Sequence, residues 1–255
     1  MLVLPTEKIQ AKVENPRFLI LFGKPKAGKT TIVNAIPNNL IIDLEGGSQY
    51  MDSLAVQART IADLGEIAQA IMNKTKELGK APYDYITIDS GTVLEDIARS
   101  YALTLYQQTP MAKSKDGKIY NEDVLKLPQG AGYLYLREAF EKLWKMFYEL
   151  APHFILICHC KDALIEKDGT ETKELAMDLT GKIARIVSAK ADAIGIVYRK
   201  GNQTKINFDG GGDSICEARA KHLRGTTITI AESDKENIVT VDWTKIYLPE
   251  NKENN

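Results

Sequence analysis

The chain has 255 residues, 44% of them apolar and 26% charged, with a formal net charge of -1. That length suits one sizeable α/β domain, or one domain with a small appendage, and the balanced charge excludes a globally basic nucleic-acid wrapper while leaving room for local patches. Three cysteines, two of them Cys158 and Cys160 flanking His159, supply neither a disulfide framework nor a four-ligand zinc spacing, which points to a reducing, cytoplasmic compartment. No run reaches the roughly 18 apolar residues of a membrane span, so no membrane partner is expected.

Residues 1–16 contain Pro5 and Pro16 and read as a lead-in with one edge strand, followed by a core at 17–248 and a polar tail at 249–255. The core opens on FLILFGKPKAGKTT, Phe18 to Thr31, an apolar run broken by Gly23 and followed by Gly28, Lys29 and Thr30. This is the P-loop pattern G-x-x-x-x-G-K-[ST]: glycines let backbone N–H groups close around an anion, Lys29 reaches the outer phosphates, and the Thr30 hydroxyl can ligate magnesium. Gly23, Lys24, Pro25, Lys26, Ala27, Gly28, Lys29, Thr30 and Thr31 are therefore the expected phosphate cradle. Pro25 and Lys26 cannot continue a strand, and Thr30 to Ala35 reads as the first turns of a helix whose dipole favours phosphate.

Pro37 and Asn38-Asn39 turn the chain into a buried strand, Leu40 to Leu44, ending at Glu45-Gly46-Gly47. A helix is predicted over 61–78, with Asp63 able to cap, then a strand, Tyr83 to Ser90, and a helix, Thr92 to Tyr106. Residues 107–132 lapse into polar, lysine-bearing sequence longer than most connections in a compact domain. Tyr133 to Leu150 resumes a helix, and HFILICHC is a fourth parallel strand candidate. Lys161 to Met177 reads as a loop with the turn dipeptide Asp168-Gly169, before a helix near 182–190, the strand ADAIGIVYRK and a hairpin through Gly201-Asn202 into TKINF.

Two acidic strand ends accompany the P-loop. ITIDS places Asp89 where the Thr30-bound magnesium would sit, with capping of the next helix as the alternative, compatible role. Asp84, at the other end of that strand, is a poor rival. Hydrolysis also needs a group that orients or deprotonates water, and IIDLEGG supplies Glu45; a surface carboxylate in a glycine turn is the bland alternative. Asp43, on the same strand face, reads as a residue that orients the site.

These residues together resemble the RecA-type ATPase core, and most nearly the small phage ATPases of the Sak type, single-strand annealing or recombination proteins. The resemblance spans roughly residues 17–230. It implies a three-layer α/β sandwich with a mainly parallel central sheet and a C-terminal antiparallel hairpin extension. It further implies ATP and Mg2+ as ligands, with Thr30 and Asp89 at the metal and Glu45 as catalytic glutamate beside Lys29. His159, ending ILICH, matches the polar sensor after the fourth core strand. Single-stranded DNA, further copies of the chain and single-strand-binding or replication proteins are the implied partners, in the host cytoplasm for a phage-encoded chain.

The local basic signal for DNA is weak: Lys113, Lys115, Lys118 and Lys126 face Asp116, Glu122 and Asp123 in one loop. Tyr120, Tyr133 and Tyr135 could stack on bases or simply pack. Arg219, Lys221 and Arg224 form the first candidate for a cation completing the phosphate site, in cis or from a neighbouring copy, and Arg199 and Lys200 the second; a solvated basic loop is the alternative. Alternation on a strand sends His159 away from both neighbouring cysteines, against zinc. Other readings are a GTP-dependent switch, since Asp43 to Gly46 fits D-x-x-G, a nucleotide-bound adaptor of a replication complex, and a small-molecule kinase. Asn73-Lys74-Thr75-Lys76 lacks the aspartate of the guanine motif, and no arginine-rich lid is evident.

Overall fold

The structure, a computed structural model, describes residues 6–7, 15–114, 116–167, 170–210 and 215–249, with side chains excepted at 163–167 and 170–174. Most of the lead-in, Lys115, the Asp168-Gly169 turn and the tail beyond Pro249 lie outside the described residues. The strands are β1 (Phe18–Gly23), β2 (Asn39–Asp43), β3 (Ala55–Gln57), β4 (Tyr85–Asp89), β5 (His153–Lys167), β6 (Thr170–Met177), β7 (Ala193–Lys200), β8 (Gln203–Asn207), β9 (Glu217–Ala218), β10 (Thr227–Ser233) and β11 (Val239–Val241). The helices are α1 (Lys29–Asn34), α2 (Ile61–Leu78), α3 (Gly91–Gln107), α4 (Gly132–Tyr148) and α5 (Gly181–Lys190).

The main sheet runs β11-β10-β8-β7-β1-β5-β4-β2-β3. Its six strands from β7 to β3 are parallel, and β8, β10 and β11 continue it as an antiparallel extension. Fully apolar stretches such as Phe18 to Phe22 and Phe154 to Cys158 suit strands buried on both faces. Even-numbered β1 residues, Phe18, Ile20 and Phe22, pack with Leu94, Phe140, Phe147 and Val187 of α3, α4 and α5. Odd-numbered Leu19 and Leu21 pack on the other face with Ile32 and Val33 of α1 and with Trp243 and Tyr247. This is the expected mainly parallel α/β sandwich, with one asymmetry. Among the described residues its second outer layer is one six-residue helix plus a C-terminal segment with a 3-10 turn at Trp243–Lys245, pinned by a 2.7 Å bond from Trp243 Nε1 to Ile32 O.

Three segments differ from the sequence expectation. Lys161 to Met177 is no loop: β5 runs on past His159 and pairs with β6 from Cys160↔Met177 to Lys167↔Thr170, forming a long antiparallel arm. Its apolar residues fall in consecutive runs, Ala163-Leu164-Ile165 and Leu175-Ala176-Met177, and do not alternate with polar ones, so no period of two announces it. The connection at 107–132 is ordered by three short 3-10 turns that bury Val124 and Leu127. Tyr120 and Tyr135 pack edge-on against Tyr106, at 5.5 and 5.3 Å between ring centroids, whereas Tyr133 is exposed. Thr60, rather than Asp63, caps α2; Asp63 closes the reciprocal half of a capping box.

Gly23 ends β1 for a steric reason. A Cβ there would stand 2.3 Å from the carbonyl oxygen of Val197 on β7. Backbone cannot swing aside as a side chain can, so Gly23→Ala is expected to lower stability by about 1–3 kcal/mol through overpacking. Urea denaturation measures this, and an unchanged midpoint would show that β1 and β7 separate freely.

Candidate active site at the carboxyl edge of the sheet

Four strand ends make the site, and their register explains why its side chains meet. Gly23 lies beside His159, Asp89 beside Ile157, and Asp43 beside Asp89. His159 on β5 and Glu45 in the turn that follows β2 therefore each stand two residues beyond the level of Asp89, on either side of β4. With β4 ending there, their side chains close over its tip. His159 Nε2 lies 2.7 Å from Glu45 Oε1, and Ser90 Oγ donates to the same oxygen. An ionised carboxylate can only accept, so this contact places a proton on Nε2. His159 Nδ1 is buried, with no hydrogen-bond partner among the described residues. The backbone of His159 is fixed too: its N–H donates to Thr92 Oγ1 at 3.2 Å, and its carbonyl accepts from Asp178 N at 2.9 Å.

Below this pair lies the phosphate loop. Lys26 and Gly28 take left-handed backbone, φ 63° and 94°, which closes the turn and starts α1 directly at Lys29. The Lys29 ammonium is buried and donates to Gly23 O at 2.8 Å and Lys24 O at 2.9 Å. Burial pulls its pKa below the usual lysine range, against the opposing pull of Asp89 and more weakly of Glu45. Thr30 Oγ1 donates to Asp89 Oδ2 at 2.6 Å, so the two residues assigned to metal from sequence touch across 59 positions. Burial is the main force raising the Asp89 carboxyl to about 6, with the Thr30 hydroxyl opposing it and the Glu45 and Asp43 charges reinforcing it. A hydroxyl and a carboxylate are hard oxygen donors of the kind magnesium accepts through one or two protein ligands. Among the described residues no cluster of three His, Cys, Asp or Glu forms a fuller metal cage.

Asp43 is buried and turned inward. Its Oδ1 accepts the N–H groups of Glu45 and Gly46 at 2.9 and 2.6 Å, and its Oδ2 accepts Ser48 N and Ser48 Oγ at 2.9 and 2.5 Å. Burial alone would raise this carboxyl, but the Ser48, Gly46 and Glu45 bonds outweigh it and hold it below the ordinary aspartate range.

The expected residues thus converge, with exceptions among the cations. Arg219 bonds Asp192 Oδ1 at 3.3 Å and Ala189 O at 2.7 Å, and Arg224 bonds Ala218 O at 3.2 Å. Asp192 also receives the Arg17 and Phe18 N–H groups at the start of β1, which puts this cluster at the amino edge. The first-choice basic cluster of Arg219, Lys221 and Arg224 therefore does not reach the phosphate loop of its own chain. Arg199, the second choice, stands beside it: its Nε lies 3.9 Å from where a Cβ on Gly28 would be. A hollow of about 440 Å³ lined by Met72, Lys76, Leu150 and Pro152 also lies at the amino edge, away from Thr30 and Asp89. Helix α3 is capped by Ser90, leaving the Asp89 carboxylate to Thr30. Cys158 packs on the α3 side of the sheet, opposite His159, as strand alternation requires. Sequence reasoning did not single out Ser90 or Thr92. Only their place just beyond the aspartate of β4 could have pointed to them.

No helix among the described residues is long and apolar enough to cross a membrane. No curated protein matches the sequence. Among solved structures, a KaiC-like protein from the hyperthermophilic archaeon Pyrococcus horikoshii OT3 is similar at 12% identity and a TM-score of 0.44, covering 89% of each chain. Residues 15–240 match the family model described as an AAA domain. The phosphate loop and its acidic strand ends lie within that match, and the chain belongs to this family of P-loop ATPase domains.

Proposed function

We propose that the chain is a magnesium-dependent ATPase that acts on single-stranded DNA in recombination or annealing, as an assembly of several copies. The observation carrying the catalytic half is the 2.7 Å contact of Glu45 with His159 above the Thr30–Asp89 pair. It sets a carboxylate beside the phosphate loop, where attacking water must be oriented. Lys29 and the loop N–H groups would hold the phosphates, and Thr30 with Asp89 would hold Mg2+. Bound magnesium would neutralise charge developing on the β- and γ-phosphate oxygens. Glu45 would orient and deprotonate the water, and His159, hydrogen-bonded to it, would fix its rotamer and sense the outer phosphate.

The DNA half rests on the resemblance to the Sak-type ATPases. The lysine-bearing connection lends it little, because Lys126 pairs with Glu122 at 3.6 Å and the same segment carries the acids Asp116 and Asp123. A GTP switch is disfavoured, since the aspartate of its D-x-x-G segment, Asp43, spends both oxygens on its own turn. An ATPase assay with and without single-stranded oligonucleotide, run with mass measurement and a parallel GTP titration, tests the reading. Turnover that needs magnesium, prefers ATP and rises with DNA in an assembled species is the expected result. Unchanged turnover and no DNA retention at low salt would remove the DNA half.

A further inference from the structure

Glu45 is anchored at two ends. Ser90 and His159 hold its carboxylate, while its backbone N–H is held by Asp43 at 2.9 Å. Asp43 is only 2% exposed, and its four acceptor contacts all go to the turn 45–48. Its own carbonyl is fixed as well, accepting Ala58 N at 3.1 Å and Arg59 Nη1 at 3.2 Å. Leu44, just before that turn, packs into the core, and within the turn Gly46 takes φ 91° and Ser48 bonds back to Asp43. Glu45 is the turn residue whose side chain reaches the phosphate-loop side. Burying an ionised carboxylate is costly unless every lone pair is met. An apolar strand end followed by a looser turn would avoid that cost. What the buried anion adds is a fixed Cα position for Glu45.

We propose that Asp43 is the positioning residue for Glu45, fixing its backbone so that the carboxylate meets Ser90, His159 and the attacking water. This rests on the reading of Glu45 as the hydrolytic carboxylate. Displacements of about 1 Å at a reacting group cost up to 100-fold in rate. In Asp43→Asn the amide oxygen still accepts from Glu45 and Gly46, but its NH2 opposes the N–H of Ser48, so the turn loosens without being emptied.

The test compares the parent, Asp43→Asn, Glu45→Gln and the double variant by kcat, KM, ATP affinity and urea midpoint. Asp43→Asn is expected to lower kcat about 10- to 100-fold, with KM and affinity within about twofold. In the Glu45→Gln background the same change should cost no further turnover while still lowering the urea midpoint. A merely structural aspartate would lower kcat by the same factor in both backgrounds, or act through KM, and either result overturns the proposal. Ser48→Ala, which leaves three backbone N–H groups on Asp43, serves if Asp43→Asn does not fold. It should lower kcat about two- to fivefold at constant KM, and unchanged kcat would count against the proposal. Full turnover in Glu45→Gln alone would instead remove the reading of Glu45.

Discussion

Glu45→Gln should bind ATP as tightly as the parent chain and hydrolyse it slower by a factor on the order of a hundred or more. Glutamine keeps the oxygen that accepts from Ser90 Oγ and His159 Nε2, so the closure over β4 persists. What it loses is basicity and negative charge next to the water. Lys29→Ala separates the other half of the site. The ammonium sits between the Gly23 and Lys24 carbonyls at 2.8 and 2.9 Å, and its removal takes away the one buried cation of the loop and leaves those carbonyls unopposed. Nucleotide binding is then expected to fail outright. Equilibrium titration with a fluorescent ATP analogue and single-turnover hydrolysis distinguish the two variants. Normal single-turnover rates in Glu45→Gln would take Glu45 out of the chemistry.

The site was legible in sequence wherever chemistry dictates spacing. A phosphate loop needs Gly28, Lys29 and Thr30 in that order, and an acid after an apolar strand lands at the carboxyl edge by strand geometry alone, which brought Asp89 and Glu45 into view. Tertiary choices were not legible. Strand order decides that β5 lies between β1 and β4, and only that order lets His159 and Glu45 meet. Of the paired glycines after Glu45, Gly46 needs left-handed backbone, whereas a Cβ on Gly47 would meet nothing within 4 Å. Basic clusters are the poorest guide. Composition singled out Arg219 to Arg224 over Arg199, yet Asp192, far off in sequence, holds Arg219 at the other edge of the sheet. Likewise β3, three residues long, lies below what any periodicity can register.

Asp89→Asn should abolish magnesium-dependent turnover and at the same time stabilise the protein in the absence of nucleotide and metal. The Asp89 carboxyl is 7% exposed and titrates near 6 in the fold, against an ordinary value of 3.8. Between about pH 4 and 6 the folded chain keeps a proton that the unfolded chain has released, so stability falls as pH rises through that window and stays lowered above it. Two units at about 1.4 kcal/mol each set an upper bound near 3 kcal/mol. Asp89 is also the leading charge opposing the desolvation of Lys29, and losing that support returns part of the gain. A net stabilisation of about 1–2 kcal/mol at pH 7.5 is therefore expected, shrinking to nothing below about pH 4. Taking the difference between parent and variant cancels the carboxyls held below their usual range, Asp43 and Glu141 among them, whose contributions are lost as pH falls. Urea denaturation of both proteins from pH 4 to 8, without metal, measures the difference directly. Adding magnesium and ATP should reverse the order at neutral pH, because the parent alone would gain binding free energy through that carboxylate. A variant less stable than the parent by a constant amount at every pH would show that Asp89 serves the fold, and that the Thr30–Asp89 contact was shaped by packing and not by the metal.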